Sequence, residues 1–207
     1  MATRASLQAL GEASFARCER VSAELLALTY GSFVRQLLLD YEEVSAVNTQ
    51  LDAIGYNIGV RLIDDFLAKS KVGHCTSFAD TGDVLAKVAF KMFIGVSANV
   101  SAVAPDGRAF ALVFDDNPLA EFAELPEDCA GLWYSNIICG VIRGALEMVN
   151  MKVECTFVKC RLRGDDHNEI KVNLHEILVE QVCFPRARCA VPLRLLALLS
   201  LTLFPCF

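Results

Sequence analysis

The sequence lacks the motifs that most often identify a nucleotide-binding or metal-binding protein. It contains no GxxxxGK[ST] phosphate loop and no GxGxxG, so we expect that the chain itself does not bind a nucleotide. No two cysteines form a CxxC pair and the three histidines are scattered, so we expect no metal site. The longest charge-free run in the apolar segment 181–207 begins at Leu195 and has 13 residues, fewer than the ~18 that a membrane-spanning helix needs. We therefore expect no transmembrane helix.

Basic charge is scarce in most of the chain, and acidic charge is absent from its end. Residues 181–207 hold three arginines and no acid, whereas residues 1–180 carry 16 basic and 25 acidic groups, a balance of −9. A nucleic-acid-binding protein normally presents a basic patch to the phosphates. We therefore expect no nucleic-acid partner.

The nine cysteines are an odd number, and the first ten residues contain no uninterrupted apolar segment of the kind found in a secretory signal peptide. Both observations favour reduced thiols in the cytosol over a disulfide framework. The chain is long enough for one domain with a sizeable core. Its hydrophobic content of 54% and mean hydropathy of +0.41 predict further apolar surface, in a partner interface, a lipid cavity or an apolar terminal segment.

Hydrophobic periodicity divides the chain into three regions. Residues 1–20 are weakly patterned and predict a flexible leader. Residues 21–180 carry helical periods and then alternating, strand-like periods, which predict helices over 22–41, 47–69, 81–96 and 132–150 and strands over 100–104, 109–114, 153–157 and 170–174. Hairpins separated by helices predict an α+β fold with helices packed on one face of a four-stranded antiparallel sheet.

Residues 181–207 form an atypical apolar tail. Of these 27 residues 18 are apolar and three are prolines, and the periodicity of the preceding domain does not continue. Two interpretations remain open, a segment that docks on a membrane surface or a partner, and translated non-coding sequence or a misread exon boundary.

Two pairs of glycines are spaced four residues apart on predicted helices. Gly55 and Gly59 lie on the second helix, and Gly140 and Gly144 lie on the fourth. This spacing lets another backbone approach closely, either within the monomer or from a second subunit. The sequence alone favours neither contact over the other.

Cys75 is the best candidate for chemistry because a packed helix and a short turn lead directly to it. Lys71, His74 and the N-terminus of the third helix lie near in sequence and are expected to lower its pKa. A cysteine–histidine enzyme is the alternative. It is disfavoured because adjacent side chains such as His74 and Cys75 normally point apart, whereas a nucleophile needs its base within hydrogen-bond reach.

Three segments resemble the subunit 3 family of the transport protein particle (TRAPP). They are residues 57–63 (NIGVRLI), 86–92 (AKVAFKM) and 139–148 (CGVIRGALEM), and the resemblance extends over about residues 22–178. It implies the same α+β fold, with a TRAPP small-subunit domain over 21–180. It further implies a covalent palmitate, thioester-linked to Cys75, in a tunnel between the helices. The candidate lining residues are Val60, Ile63, Leu67, Val84, Val88 and Ala89.

The resemblance also implies a role. A member of this family is a non-enzymatic scaffold subunit of the TRAPP vesicle-tethering complex in transport from the endoplasmic reticulum to the Golgi. It pairs with other TRAPP small subunits through its helices, as a homodimer or heterodimer. The assembled core supports nucleotide exchange on a Rab GTPase. The expected location is cytoplasmic and peripheral at the cis-Golgi and endoplasmic reticulum.

One further interpretation remains open from the sequence. Bacterial 4-vinyl-reductase-type domains share this general fold and use an apolar pocket as a sensor. Under this interpretation the chain is a soluble module that binds a hydrophobic ligand or acyl chain. A covalent acyl group on Cys75 distinguishes the two hypotheses.

Overall fold

The computed structural model describes residues 4–178, in which helices pack on a four-stranded antiparallel sheet. The helices are α1 (Arg4–Arg17), α2 (Ala23–Asp40), α3 (Val44–Ser70), α4 (Phe78–Val84), α5 (Phe90–Phe93) and α6 (Ile137–Met148), with a π-helical segment over Leu85–Ala89. The strands are β1 (Asn99–Ser101), β2 (Ala109–Phe114), β3 (Met151–Lys159) and β4 (Asn168–Ile177). Short 3-10 turns cover Pro118–Ala120, Glu127–Cys129 and Arg161–Arg163.

The sheet has the order β1-β2-β4-β3, so the two predicted hairpin regions join through β2 and β4. Phe110 pairs with Val172 and Leu112 with Ile170, and these four side chains are almost fully buried. Along β3, buried and exposed residues alternate, as expected for a strand with one face on the core. The predicted α+β fold class is confirmed.

Most predicted helices are present, but some begin and end at other residues. Ser22 caps α2 as predicted, since its hydroxyl accepts a hydrogen bond of 3.2 Å from the Leu25 N–H. The third helix begins earlier than predicted, at Phe78, because Ser77 and Asp80 form a capping box. The fourth helix begins only at Ile137, and residues 132–136, which were predicted to be its first turn, are not helical.

The prediction of a flexible leader over residues 1–20 is wrong for the segment that forms α1. Its buried residues are Leu7, Gly11 and Ser14, spaced four and three apart as one face of a helix requires. This face packs on the π-helical segment, α5 and α3. The pattern was missed because the stripe contains small and polar residues instead of large apolar ones.

The glycine pairs bring α3 and α6 together within the monomer. A Cβ at Gly55 or Gly59 would lie closer than 3.0 Å to a backbone carbonyl oxygen of α6, and one at Gly140 or Gly144 closer than 3.0 Å to a carbonyl oxygen of α3. At this distance there is no room for a side chain between the backbones of α3 and α6. The intramolecular alternative for the four glycines is therefore the correct one.

Within residues 4–178 no helix is long and apolar enough to cross a membrane. The cysteines at positions 18, 75, 129, 139, 155 and 160 are free thiols. The predicted tail over 181–207 lies outside the described residues.

Candidate functional site

Cys75 lies in the short connection between α3 and α4. Helix α3 ends where Lys71 takes a left-handed conformation with φ of 56°, which turns the chain back towards the body of the protein. Gly73 does not have a positive φ, and a Cβ there would meet no atom within 4 Å. The turn therefore depends on Lys71 and not on the glycine. It leaves the Cys75 side chain half-buried.

Cys75 packs against an apolar cluster between the helices, which we call the Cys75 cluster. Its buried members are Leu7, Ile63, Phe66, Val84, Val88 and Met92. Partly buried apolar side chains surround them, among them Leu10, Val72 and Ala89. Helices α1, α3, α4 and α5 and the π-helical segment all contribute, so the thiol stands at the edge of a continuous apolar interior.

The structure brings four of the six predicted lining residues into this cluster. Ile63, Val84 and Val88 are buried in it and Ala89 packs against it. The prediction for Leu67 is wrong, because its side chain is 54% exposed and the neighbouring Phe66 packs in the cluster instead. Val60 is half-buried and does not belong to the cluster.

The π-helical segment contributes side chains both to the core between the sheet and the helices and to the Cys75 cluster. Ala86 and Phe90 face the core between sheet and helices, while Val88 faces the Cys75 cluster. The wider helical turn also releases the Ala86 carbonyl, which accepts a hydrogen bond of 2.9 Å from the Ala98 N–H before β1. The segment is thereby tied to the sheet on one side and to the cluster on the other.

Burial raises the pKa of the Cys75 thiol above its usual value. The Thr81 side chain lowers this pKa through a hydrogen bond, and the Asp80 carboxylate raises it. The expectation that Lys71, His74 and the helix N-terminus lower the pKa is therefore wrong. Asp80 occupies the first turn of α4, where it accepts hydrogen bonds from the Thr76 hydroxyl and the Ser77 N–H.

These surroundings do not resemble an activated nucleophile. His74 is exposed, and the group that donates to or accepts from Cys75 is Thr81, which is not a base at neutral pH. A thiol of raised pKa in an apolar environment is suited to holding a thioester whose acyl chain lies among aliphatic side chains. Sequence reasoning missed the contribution of α1, whose Leu7 and Leu10 lie three residues apart.

The fold and the site together define a helix-on-sheet protein with an apolar interior that reaches a single half-buried cysteine. A family model for "Transport protein particle (TRAPP) component" matches residues 26–173. The chain belongs to this family and, within it, to the subunit 3 group.

Curated relatives and a solved structure support this assignment. The chain is 52% identical to "Trafficking protein particle complex subunit 3" of Dictyostelium discoideum, over 84% of this chain and 94% of the relative. It is 53% identical to "Transport protein particle subunit bet3" of Schizosaccharomyces pombe, with the same coverage. It is also similar, with 56% identity and a TM-score of 0.76, to a Naegleria fowleri trafficking protein particle complex subunit 3 covalently bound to palmitic acid. That match covers 78% of this chain and all of the Naegleria chain.

Proposed function

We propose that this protein is a non-enzymatic scaffold subunit of the TRAPP tethering complex in transport between endoplasmic reticulum and Golgi, and that Cys75 carries a thioester-linked palmitoyl chain. It acts in the cytoplasm, peripherally at these membranes. It acts by assembling with the other subunits, and the assembled core supports nucleotide exchange on a Rab GTPase. Family membership supports the place in the complex, and the site supports the modification.

The observation that carries the acylation proposal is the position of Cys75 at the edge of the Cys75 cluster. The aliphatic side chains of Ile63, Val84 and Val88 converge next to the thiol. A chain attached at Sγ and directed inward would leave water entirely. The palmitic acid bound covalently to the Naegleria relative supports the same chemistry.

Burial of the acyl chain supplies a large stabilisation. Each buried methylene contributes about 0.8 kcal/mol, so a palmitoyl chain contributes on the order of 10 kcal/mol. This is comparable to the whole stability of a typical domain. The palmitoyl group therefore acts as part of the core, and it does not serve as a reversible membrane anchor.

The exposed face of α2 is the surface that we assign to pairing with another TRAPP small subunit. Leu25 and Leu28 are 60% and 61% exposed and lie three residues apart on one face of the helix, and Val21, just before the capping Ser22, is also exposed. On α3, Ile58 is also exposed and lies in an open groove with Ile54 and Leu62. Exposed apolar stripes of this kind mark protein interfaces, and a subunit of a multi-subunit particle requires one.

Intact-mass measurement tests the acylation proposal. Protein purified from its native host should lose the mass of one palmitoyl group when it is treated with hydroxylamine, which cleaves thioesters. Cys75→Ser should remove the modification. The buried thiols of Cys139 and Cys155 provide an internal control, since both should remain unmodified.

Two outcomes of this measurement would contradict the proposal. An unmodified Cys75 in protein that binds its partner subunits fully would show that acylation is not part of this member. A hydrophobic ligand that organic solvent extracts without hydroxylamine would instead support the sensor-module hypothesis.

Ala89→Leu is expected to abolish acylation of Cys75 while the protein still folds. Ala89 packs against the cluster and is smaller than its neighbours Val88, Phe90 and Met92, so a leucine there fills space that the acyl chain needs. Overpacking itself typically costs about 1–3 kcal/mol. The measurement is the acylated fraction by intact mass, together with the melting temperature.

Ala53→Leu is the matched control, because Ala53 is exposed on α3 and receives the same added volume. It should leave the acylated fraction unchanged. If Ala89→Leu is acylated as fully as the natural sequence, Ala89 does not line the acyl chain.

A further inference from the structure

Helix α1 lies directly on the Cys75 cluster. Leu7 is one of the buried members of the cluster, and Leu10 packs against it from the next turn. Gly11 rests on the π-helical segment, where a Cβ would come closer than 3.0 Å to the Lys87 carbonyl oxygen. Some of the apolar side chains that surround Cys75 are therefore shielded from water by α1.

Polar contacts join α1 to the rest of the protein at its start and near its end. Arg4 at its start forms an exposed ion pair of 3.1 Å with Asp83 of α4. Ser14 is fully buried, and its hydroxyl donates a hydrogen bond of 2.8 Å to the Leu10 carbonyl and lies 3.5 Å from the Ser70 carbonyl. Ser70 ends α3, five residues before Cys75. The C-terminal part of α1 therefore contacts the start of the connection that carries the thiol.

These contacts are suited to a segment that can detach. The ion pair at Arg4 is exposed and therefore weak, and Leu7 is the only large apolar side chain that α1 buries fully among the described residues. Segments with few buried apolar contacts open at much lower free energy than the core. Helix α1 also lies outside residues 26–173, the part of the chain that the family model matches.

We propose that α1 is an intramolecular cover over the Cys75 cluster, which must detach for an acyl chain to enter or leave. The proposal rests on the proposed acylation of Cys75 and adds its regulation. With α1 docked, the aliphatic side chains are packed against Leu7 and Leu10 and the thiol is half-buried. Detachment uncovers the cluster at the edge where Cys75 stands.

The step that the cover controls is a simple acyl transfer. The Cys75 thiol loses its proton to water, and Sγ forms a bond to the carbonyl carbon of palmitoyl-CoA. The bond from that carbon to the sulfur of CoA breaks, and CoA leaves as a thiolate that takes up a proton. No oxidant or reductant takes part, and the reaction requires only that donor and thiol meet.

Gly11→Leu should displace α1 without weakening it as a helix, because leucine has the higher helix propensity but collides with the Lys87 carbonyl. Overpacking of this kind shifts a docking equilibrium by about five- to 150-fold. Leu7→Ser is a second variant that removes the apolar anchor instead. Ala9→Leu places a leucine on the exposed face of α1 and is the control.

Three quantities are measured on the full, deacylated chain: hydrogen exchange of residues 4–17, the labelling rate of Cys75 by N-ethylmaleimide, and the rate of palmitoyl transfer from palmitoyl-CoA. We expect all three to rise in Gly11→Leu and Leu7→Ser and none to change in Ala9→Leu. The proposal would be overturned if hydrogen exchange of α1 became faster while maleimide labelling of Cys75 and palmitoyl transfer to it stayed unchanged or became slower. Unchanged exchange of α1 in both variants would equally overturn it, because it contradicts docking through Leu7 and Gly11.

The maleimide reaction separates this proposal from the proposed function. Faster labelling of Cys75 in both variants supports the cover, because it reports access to the thiol whether or not acylation occurs. If labelling rises while neither the natural sequence nor the variants accept palmitoyl groups, the cover stands and the acylation proposal fails.

Discussion

Gly59→Ala is expected to lower the free energy of unfolding by about 1–3 kcal/mol, although alanine is the better helix former. The added methyl group would lie closer than 3.0 Å to the Val141 carbonyl oxygen of α6. The obstacle is backbone and cannot rotate away, so the two helices must separate. For a chain of this size the melting temperature should fall by roughly 3–10 °C. Gly140→Ala should act similarly, because its methyl group meets the Asp52 carbonyl oxygen of α3.

Gly73→Ala is the control for this prediction. A Cβ at that position meets no atom within 4 Å, and the residue has no positive φ. Its melting temperature should stay close to that of the natural sequence. A Gly59→Ala variant that melts like Gly73→Ala would show that α3 and α6 are farther apart than the structure places them.

Leu25→Glu combined with Leu28→Glu is expected to abolish pairing with another TRAPP small subunit. Both side chains are exposed on one face of α2, so the charges cost little in the monomer but must lose their hydration in an interface. Burying each unpaired carboxylate in an interface costs at least about 1 kcal/mol, so two of them should raise the dissociation constant by at least ~30-fold. Co-expression with a second small subunit, followed by size-exclusion chromatography with light scattering, measures the loss.

The melting temperature of the isolated double variant should be unchanged, which separates lost pairing from lost folding. Val103→Glu is the matched control, because Val103 is an exposed apolar residue between β1 and β2. It should pair normally. Full pairing by the α2 variant would contradict the assignment of this face.

The sheet and the long helices could be predicted because their periodicity depends on large apolar residues. Strand β3 alternates Val153, Cys155 and Phe157 on its buried face, and α2 begins at a serine that caps it. Glycine spacing revealed a close helix contact but not its partner. Only the three-dimensional arrangement shows that each glycine pair meets the other across α3 and α6.

Helix α1 could not be predicted because its buried stripe contains little hydrophobicity. Gly11 and Ser14 are buried for reasons of space and hydrogen bonding, and a hydrophobicity pattern does not register either property. The prediction that Leu67 lines the tunnel is wrong for a different reason, because a hydrophobicity pattern does not fix the rotation of a helix about its axis. At the end of a helix, a small difference in rotation decides whether residue 66 or 67 faces inward, and both are apolar.

The predicted lowering of the Cys75 pKa is wrong because proximity in the sequence does not imply an electrostatic effect in the folded protein. Lys71 and His74 are near in the chain but exposed, whereas burial and the Asp80 carboxylate act on the thiol directly. Burial depends on α1 and the π-helical segment, which neither the cysteine's neighbours nor their spacing reveal.

Helix α3 has a mechanical consequence for the whole protein. It is about 40 Å long, at 1.5 Å for each of its 27 residues. Near its start Val47 and Leu51 belong to a cluster with α2, its middle is locked to α6 by glycines, and Ile63 and Phe66 near its end belong to the Cys75 cluster. Because one helix packs at all three places, we expect that a change in the packing around Cys75 also shifts α3 at the open groove that contains Ile58.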